Sequence, residues 1–412
     1  MPVVKVELGF DLGTRDPNSF VLNDAIKGQL DNTSYTLGGG RFFDITSRLL
    51  NVGTNRGKSQ ALDRNNAGVG SVLVDNRDRL FDPLYEAGLY YGQLIPRREV
   101  RVSSNEKPVI QGYIDDFDII YQTGERSRVR IDFSDAFSVL ANTSLPDLTP
   151  TSQLSGARVN YVLDQPEVDW ATEKRNIDTG NTTVLDTAIT EGTNALTYLQ
   201  LVESSEFGNL FIAKDGKITY RERNSTPSSA SVLFTDNDTE AGLTAISFAD
   251  VNITYGSENL YNRIVLENSD AIPEQAIAED AASQLEYGVR TYTQSGLLVQ
   301  DVTELQFLAN FLLARFKQPQ YRFDSVSIVL ENLTIDQQDK VLDLEIGDIV
   351  KVKYTPSGIA PAIEQNCRVI GIGHNWDPTR KTMNFALERI DLGLFILDSI
   401  TFGVLDQDSL SY

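Results

Sequence analysis

The sequence predicts a mainly β protein with α/β insertions, and three observations predict it. Apolar and polar residues alternate strictly along many short runs, as in Val129, Ile131 and Phe133 against Arg128, Arg130 and Asp132, or Val350, Val352 and Tyr354 against Lys351 and Lys353. A period of two is the mark of a strand with one buried face. Turn signals such as Lys214-Asp215-Gly216, Ile346-Gly347-Asp348 and Asp377-Pro378 separate these runs at spacings that suit antiparallel barrels or sandwiches rather than strand–helix–strand units. Helical periodicity, finally, is confined to a few stretches. A chain of 412 residues is long enough for two to three domains of roughly 100–200 residues each.

Residues 1–143 form the first β-rich unit, closed by Asn142-Thr143-Ser144 and the proline-containing stretch 145–150. Within it, residues 71–133 hold strand, turn, arm and strands in a fixed order. A polar corner, Asp75-Asn76-Arg77-Asp78, leads into the arm Phe81-Asp82-Pro83-Leu84, which neither helix nor strand periodicity explains and which must pack on something. Arg97, Arg98 and Arg101 follow Pro96 and alternate with Val100 and Val102, placing a basic strand face beside the acidic corner. Arginine pairs with carboxylates through two parallel hydrogen bonds, which suits an internal bridge or a subunit joint alike. The candidate interface is therefore Phe81, Asp82, Pro83, Leu84, Arg97 and Arg98.

Residues 144–244 mix helix and hairpin. A helix is expected around 155–163 and another over 194–206, where Leu196, Leu199 and Leu201 or Val202 face inward and Gly208 stops the run before a hairpin at 209–222. Residues 245–391 return to strands, at about 262–267, 325–330, 350–354, 367–372 and 382–388. They are interrupted by a helix at about 301–317, whose Leu305, Leu308, Ala309, Leu312 and Phe316 share one face, with Asp301 or Thr303 as cap and Pro319 just past the end. A short, alanine-rich, acidic helix is expected over 276–287. This unit repeats the β character of the first without obvious sequence identity. The final 392–412 form an apolar tail carrying Leu394, Phe395, Ile396, Leu397 and Phe402, too apolar for a free disordered segment; it either covers its own domain or docks on a neighbour, and docking is the favoured reading because it follows a completed strand pattern.

Composition excludes much. The formal charge of −22 argues against gripping a nucleic-acid backbone, which takes clustered Lys and Arg. It suits a surface past which DNA slides without sticking as well as it suits a merely soluble protein with a solvated acidic face. The charge is uneven, with eleven acids against Arg263 alone over residues 231–287. No apolar run of about 18 residues is present to span a bilayer, and the N-terminus lacks the order of a secretory signal. One cysteine and one histidine rule out an internal disulfide and a Cys-rich metal cage. Cys367 and His374 lie in CRVIGIGH, where Val369, Ile370 and Ile372 read as a buried strand ending at a glycine-rich turn, hence a core cysteine and a turn histidine.

No phosphate loop or nucleophile elbow is present. Paired acids remain, since a glycosidase needs two carboxylates at a suitable separation. The best cluster is Asp115, Asp116 and Asp118 in GYIDDFDIIY, framed by Ile114, Phe117, Ile119 and Ile120 as a strand end. Asp75, Asp78 and Asp82 lack the glycine-punctuated spacing of a calcium loop and have Arg77 and Arg79 beside them. The chain is read as a non-enzyme with no catalytic residue, metal or cofactor. Two alternatives from other classes are a host-surface glycan-binding adhesin, whose sixteen Tyr and nineteen Phe would supply ring faces, and a carboxylate-dependent cell-wall hydrolase.

The order LVDNRDRLFDPL at 73–84, GQLIPRREVRV at 92–102, GYIDD at 112–116 and SDAF at 134–137 resembles the N-terminal part of minor tail proteins, the tail-tip or baseplate hubs, of long-tailed, siphovirus-like phages, especially those of actinobacteria. Weaker but consistent likeness continues at Glu206-Phe207-Gly208, Asp215-Gly216 and Tyr287-Gly288-Val289-Arg290. The resemblance implies two tube-like antiparallel β-barrel domains separated by smaller modules, and a homotrimer forming a pseudo-sixfold ring at the virion tail tip. It also implies the neighbours: a distal tail protein ring, the tail tube, the C-terminal end of the tape-measure protein, and tip or fibre proteins. DNA would pass through transiently without specific binding. The chain would be made in the host cytoplasm.

Overall fold

The computed structural model describes residues 2–12, 20–29, 35, 41–123, 126–225, 230–236, 239–270 and 272–390. Five strands organise the first unit: β1 (Leu49–Gly57), β2 (Asn66–Asp75), β3 (Glu99–Ser104), β4 (Lys107–Ile120) and β5 (Arg128–Ser134). They pair antiparallel in the order β1-β2-β5-β4-β3, and Val4–Gly9 and Phe42–Asp44 extend the β3 edge. Five more organise the second: β6 (Asp250–Gly256), β7 (Gln320–Val329), β8 (Ile349–Tyr354), β9 (Ile363–Trp376) and β10 (Lys381–Arg389). Their order is β6-β7-β10-β9-β8, the same as in the first unit.

The correspondence extends to detail. β4 and β9 are each 14 residues long. Each pairs with the third strand of its unit along its N-terminal half and with the fifth along its C-terminal half. Each also carries a bulge where the two halves meet, at Asp115 in β4 and Ile370 in β9. A bulge adds an unpaired residue and bends the strand, which lets one long strand serve two partners on diverging courses. The second unit is thus a structural repeat of the first, although the sequences do not align by eye.

The resemblance implied two separate barrels, but among the described residues the units do not close into them. Residues Gly371–Trp376 of β9 pair antiparallel with Val52–Gly57 of β1. Fourteen of the described strands therefore form one open sheet. The reason is an edge already in use: the C-terminal half of β9 is bonded to the other unit's first strand and not to its own, β6. Nor is the pairing purely antiparallel, because Val232–Thr235 runs parallel to both β8 and Thr244–Ser247.

Alternation sorts this sheet into two faces. One lateral row runs Phe117, Ile131, Val72, Val52, Trp376, Lys381. Ile131, Val72, Val52 and Trp376 are buried, and with Phe117 they belong to a core shared by both units. The row on the opposite face runs Asp116, Asp132, Ser71, Gly53, Asn375, Thr382 and is polar throughout.

Two further cores flank this one. Helix α1 (Ser155–Leu163) and helix α2 (Ala195–Glu206) pack on the hairpin Asn209–Ile212/Ile218–Arg221. The Asn194 side chain caps α2 by accepting from the Thr197 N–H at 3.0 Å, and the helix ends at Phe207 in the left-handed region, φ 55°, with Gly208 next. Helix α3 (Val302–Phe316) packs Leu305, Leu308, Ala309, Leu312 and Phe316 on the strands Arg263–Asn268, Gln275–Glu279 and Thr291–Leu297, with Asp301 as its cap. The stretch expected as one helix over 276–287 divides: Ala276 and Ala278 are buried in alternation as a strand, and the helix begins at Ala281. Helix α4 (Ile335–Asp343), opened by a capping box from Thr334 and Gln337, was not anticipated. Among the described residues no helix is long and apolar enough to cross a membrane.

Candidate functional site

The polar face of the sheet is broad and nearly free of cations. A second lateral row on it reads Val69, Asn55, Gly373, Asn384, Ser327, Asp250, crossing from the first unit to the second without interruption. Apart from the exposed Val69 and the carboxylate of Asp250 at its two ends, the row carries only amides, a hydroxyl and a glycine. Charges gather at the β4–β5 end, where Arg130 bridges Asp118 at 3.4 Å and Asp132 at 2.9 Å. Such a surface offers hydrogen bonds to water but no cluster of positive charge on which a phosphate backbone would lodge.

Beneath this face, the joint between the units has an unusual polar interior. Arg56 on β1 is 4% exposed; its Nη1 donates to Glu345 Oε1 at 2.9 Å and to the Ile212 carbonyl at 3.2 Å. One side chain thus ties the first unit to the middle hairpin and to the second unit. Glu345 Oε2 in turn accepts from the Lys214 backbone N–H at 2.8 Å, and Lys214 Nζ donates to the carbonyls of Leu342 and Asp343 at the end of α4. Burial and then the nearby Glu345 and Asp343 act on Lys214 in opposite senses, with burial prevailing to lower its pKa.

His374 belongs to this joint and not to a turn. β9 continues through Gly371 and Gly373, so His374 is a mid-strand residue paired with Thr54. Its Nδ1 lies 2.9 Å from Thr54 Oγ1 and its ring meets Trp376 edge-on at 4.8 Å. Burial, reinforced by Arg56 and Lys214, lowers its pKa to about 3, so the imidazole is neutral. Cys367 is buried too, and burial pushes its thiol up to about 12. A protonated thiol and an imidazole spent on a threonine make no nucleophilic pair.

The glycines at the joint let backbones approach closely. Gly57 has φ +92°, and a Cβ there would sit 2.3 Å from the Ile370 carbonyl oxygen, on the bulge of β9. Nearby, Asp135 accepts from the Gly68 and Phe137 N–H groups at 2.7 and 2.9 Å, yet burial raises it to about 7.

The arm packs against its own unit at its root and reaches outward at its tip. Phe81 is fully buried, its ring 5.4 Å from Tyr90. Asp82 is buried as well, paired with Arg79 at 2.6 Å and accepting from Tyr121 Oη at 2.5 Å. Pro83 is half-buried and Leu84 is 83% exposed. Arg97, in the left-handed region, stacks over Tyr113, while Arg98 donates to Gln93 Oε1 at 2.7 Å. The corner acids are engaged locally: Arg48 grips both oxygens of Asp78 at 2.8 and 2.6 Å, and Arg77 takes Asp75. Arg48, on no motif, is a partner the sequence did not reveal. Leu394, Phe395, Ile396, Leu397 and Phe402 lie outside the described residues. Asp115 sits on the bulge of β4 and accepts from Ser134 Oγ at 3.1 Å; Asp116 faces Asp132 across the strands. Among the described residues no group of three or more His, Cys, Asp and Glu side chains is placed to hold a metal ion.

Compared with solved structures, the chain matches the tail protein from Neisseria meningitidis MC58 with a TM-score of 0.58 and 12% identity, over 94% of this chain and 96% of that one. The chain shares the fold of that tail protein. The 43 kDa tail protein of prophage MuSo2 from Shewanella oneidensis matches with a TM-score of 0.54 and 15% identity, over 85% and 96% of the two chains. The prophage tail protein gp18 from Listeria monocytogenes EGD-e matches at 0.51 and 9%, over 94% and 96%. No protein-family model matches the sequence, and no curated protein does. At such identities the likeness is one of fold.

Proposed function

We propose that this chain is a structural virion protein, the hub of a phage tail tip or baseplate, which assembles as three copies in a pseudo-sixfold ring. The observation that carries the reading is the internal repeat: each copy contributes two units of the same strand order, already joined side by side in one sheet with a common polar face. Three such copies present six units, the number needed to adapt a sixfold tube to a threefold tip. In this reading the polar face lines part of the DNA exit channel, and the net charge of −22 keeps DNA from adhering as it leaves. The protein is not an enzyme. Its neighbours are the tail tube and distal tail ring on one side, tip or fibre proteins on the other, and the C-terminal end of the tape-measure protein within. The actinobacterial, siphovirus-like setting rests on the motifs at 73–137 alone.

The test is composition and imaging of purified virion tails together with the mass of the isolated chain. Three copies per tail in a ring at the tip are expected. A chain absent from tails and monomeric at every concentration would sink the reading.

A further inference from the structure

The repeat makes one joint inside the chain and leaves the parts of a second unused. From this we infer that β6 of one copy pairs antiparallel with the C-terminal half of β4 of the next copy. The inference rests on the hub reading above and names the edges by which its copies meet.

Within the chain, the first strand of one unit pairs with the C-terminal half of the long strand of the other, β1 with β9. The equivalents of these two strands are β6 and β4. Among the described residues, β6 has strand pairing with β7 alone, and the backbone of residues 115–120 is bonded to β5 alone. From the C-terminal half of β4 the pairing runs β4-β5-β2-β1-β9-β10-β7-β6, so the two complementary edges stand at opposite ends of this run, while the N-terminal half of β4 is covered by β3. Exposed strand edges invite pairing with another chain unless they are blunted. Both edges present an exposed aromatic side chain, Tyr121 beside one and Tyr255 on the other, 56% and 60% exposed, although the β4 edge also carries the acids Asp116 and Asp118.

The internal joint also supplies a register. The bulges equate Ile370 with Asp115, and the ladders equate Gly57 with Gly256. Transferring the β1–β9 pairing sets Asp116 opposite Gly256, Phe117 opposite Tyr255, Ile120 opposite Asn252 and Tyr121 opposite Val251. Asp250 then falls opposite Gln122, so no acid faces an acid, which would be destabilising. Gly57 is the point of closest approach in the internal joint; at its counterpart Gly256 an added Cβ would meet nothing within 4 Å. The glycine that the joint requires is present, and the backbone it would accommodate belongs to the next copy. Contact between unlike edges is head-to-tail and generates a ring when the rotation closes. With two units per copy, closure at six units takes three copies.

The full-length chain carrying Ile120→Cys and Asn252→Cys, gently oxidised, is expected to give a covalent, reductant-sensitive trimer, while either single variant stays uncrosslinked because Cys367 is buried. Gly256→Leu is expected to unfold at the same temperature as the wild type yet to lose trimer formation and entry into tails. Two results overturn the pairing but leave the hub reading standing: wild-type chain in tails with no 120–252 cross-link, or Gly256→Leu assembling as well as wild type. A cross-link that stops at the dimer overturns ring closure through these edges. Absence of the wild-type chain from tails removes the hub reading and the joint with it.

Discussion

Arg56 is the side chain on which the joint between the units depends, and replacing it with Met isolates its charge while keeping most of its apolar stem. The guanidinium is buried, with Glu345 at 2.9 Å and the Ile212 carbonyl at 3.2 Å. Removing one partner of a buried pair typically costs about 3–5 kcal/mol, because the other charge stays desolvated without compensation. Here the Glu345 side chain is 19% exposed and keeps the Lys214 N–H at 2.8 Å, so the lower end, about 3 kcal/mol, is expected. Urea unfolding followed by tryptophan fluorescence suits the measurement, since Trp376 is buried at the joint against His374. The chain has several cores and a second tryptophan, Trp170, on the middle one, so the measurement uses a Trp170→Phe background and the transition to analyse is that of Trp376. Glu345→Gln should cost less than Arg56→Met, and the double variant should cost less than the sum by about 1.5 kcal/mol or more, the coupling of residues in contact. If Arg56→Met shifts that transition by less than about 0.5 kcal/mol, the joint does not rest on this pair.

Glu203 is buried and its pKa is raised by burial to about 7, with Oε1 accepting from the Leu210 N–H at 2.9 Å and Oε2 without a hydrogen-bond partner. A raised carboxyl favours the protonated fold, so its contribution is present below the ordinary value near 4.5 and lost as pH rises through about 7. Glu203→Gln should therefore match wild-type stability near pH 5 and exceed it near pH 8, by at most about 3 kcal/mol; equal differences at both pH values would contradict this. His374 works in the other direction: its contribution is present above its ordinary 6.5 and lost as pH falls towards about 3, and thermal melts of His374→Gln should lose that acid-side slope. Gly57→Val combines a disfavoured φ with a clash on the Ile370 carbonyl and should cost about 2 kcal/mol or more in the same urea experiment, whereas Gly256→Val should cost almost nothing in the isolated chain. The Cys367 thiol, held near 12 by burial, should resist a disulfide reagent at pH 8 in the folded protein and react fully after unfolding.

Much of the secondary structure was legible because it depends on local pattern. The i, i+3, i+4 spacing from Leu305 to Phe316 and the Asp301 cap are contained in one short window, and the helix forms there. Where two patterns overlapped, the local signal misled. Ala276 and Ala278 are good helix formers, but they sit in a strand because the neighbouring strand Arg263–Asn268 and α3 bury them in alternation. His374 was assigned to a turn on account of Gly371 and Gly373, which instead allow β9 to run on against β1. The arm at Phe81–Leu84 was recognised as needing a surface to pack on, and that surface for Phe81 is its own unit.

The amino-acid sequence by itself determined the β-rich character, the helices at 155–163, 195–206 and 302–316, the acidic balance and the scarcity of cysteine and histidine, since each follows from composition or from residues a few positions apart. The tertiary structure alone decided that the two β-rich units are repeats and share one sheet. Strand order, the matched bulges at Asp115 and Ile370, and the pairing of Val52–Gly57 with Gly371–Trp376 join residues over 300 positions apart through backbone hydrogen bonds. Backbone groups are the same in every residue, so side-chain sequence can diverge without trace while the ladder persists. Arg56, similarly, is an ordinary strand arginine until the fold surrounds it with Glu345 and the Ile212 carbonyl.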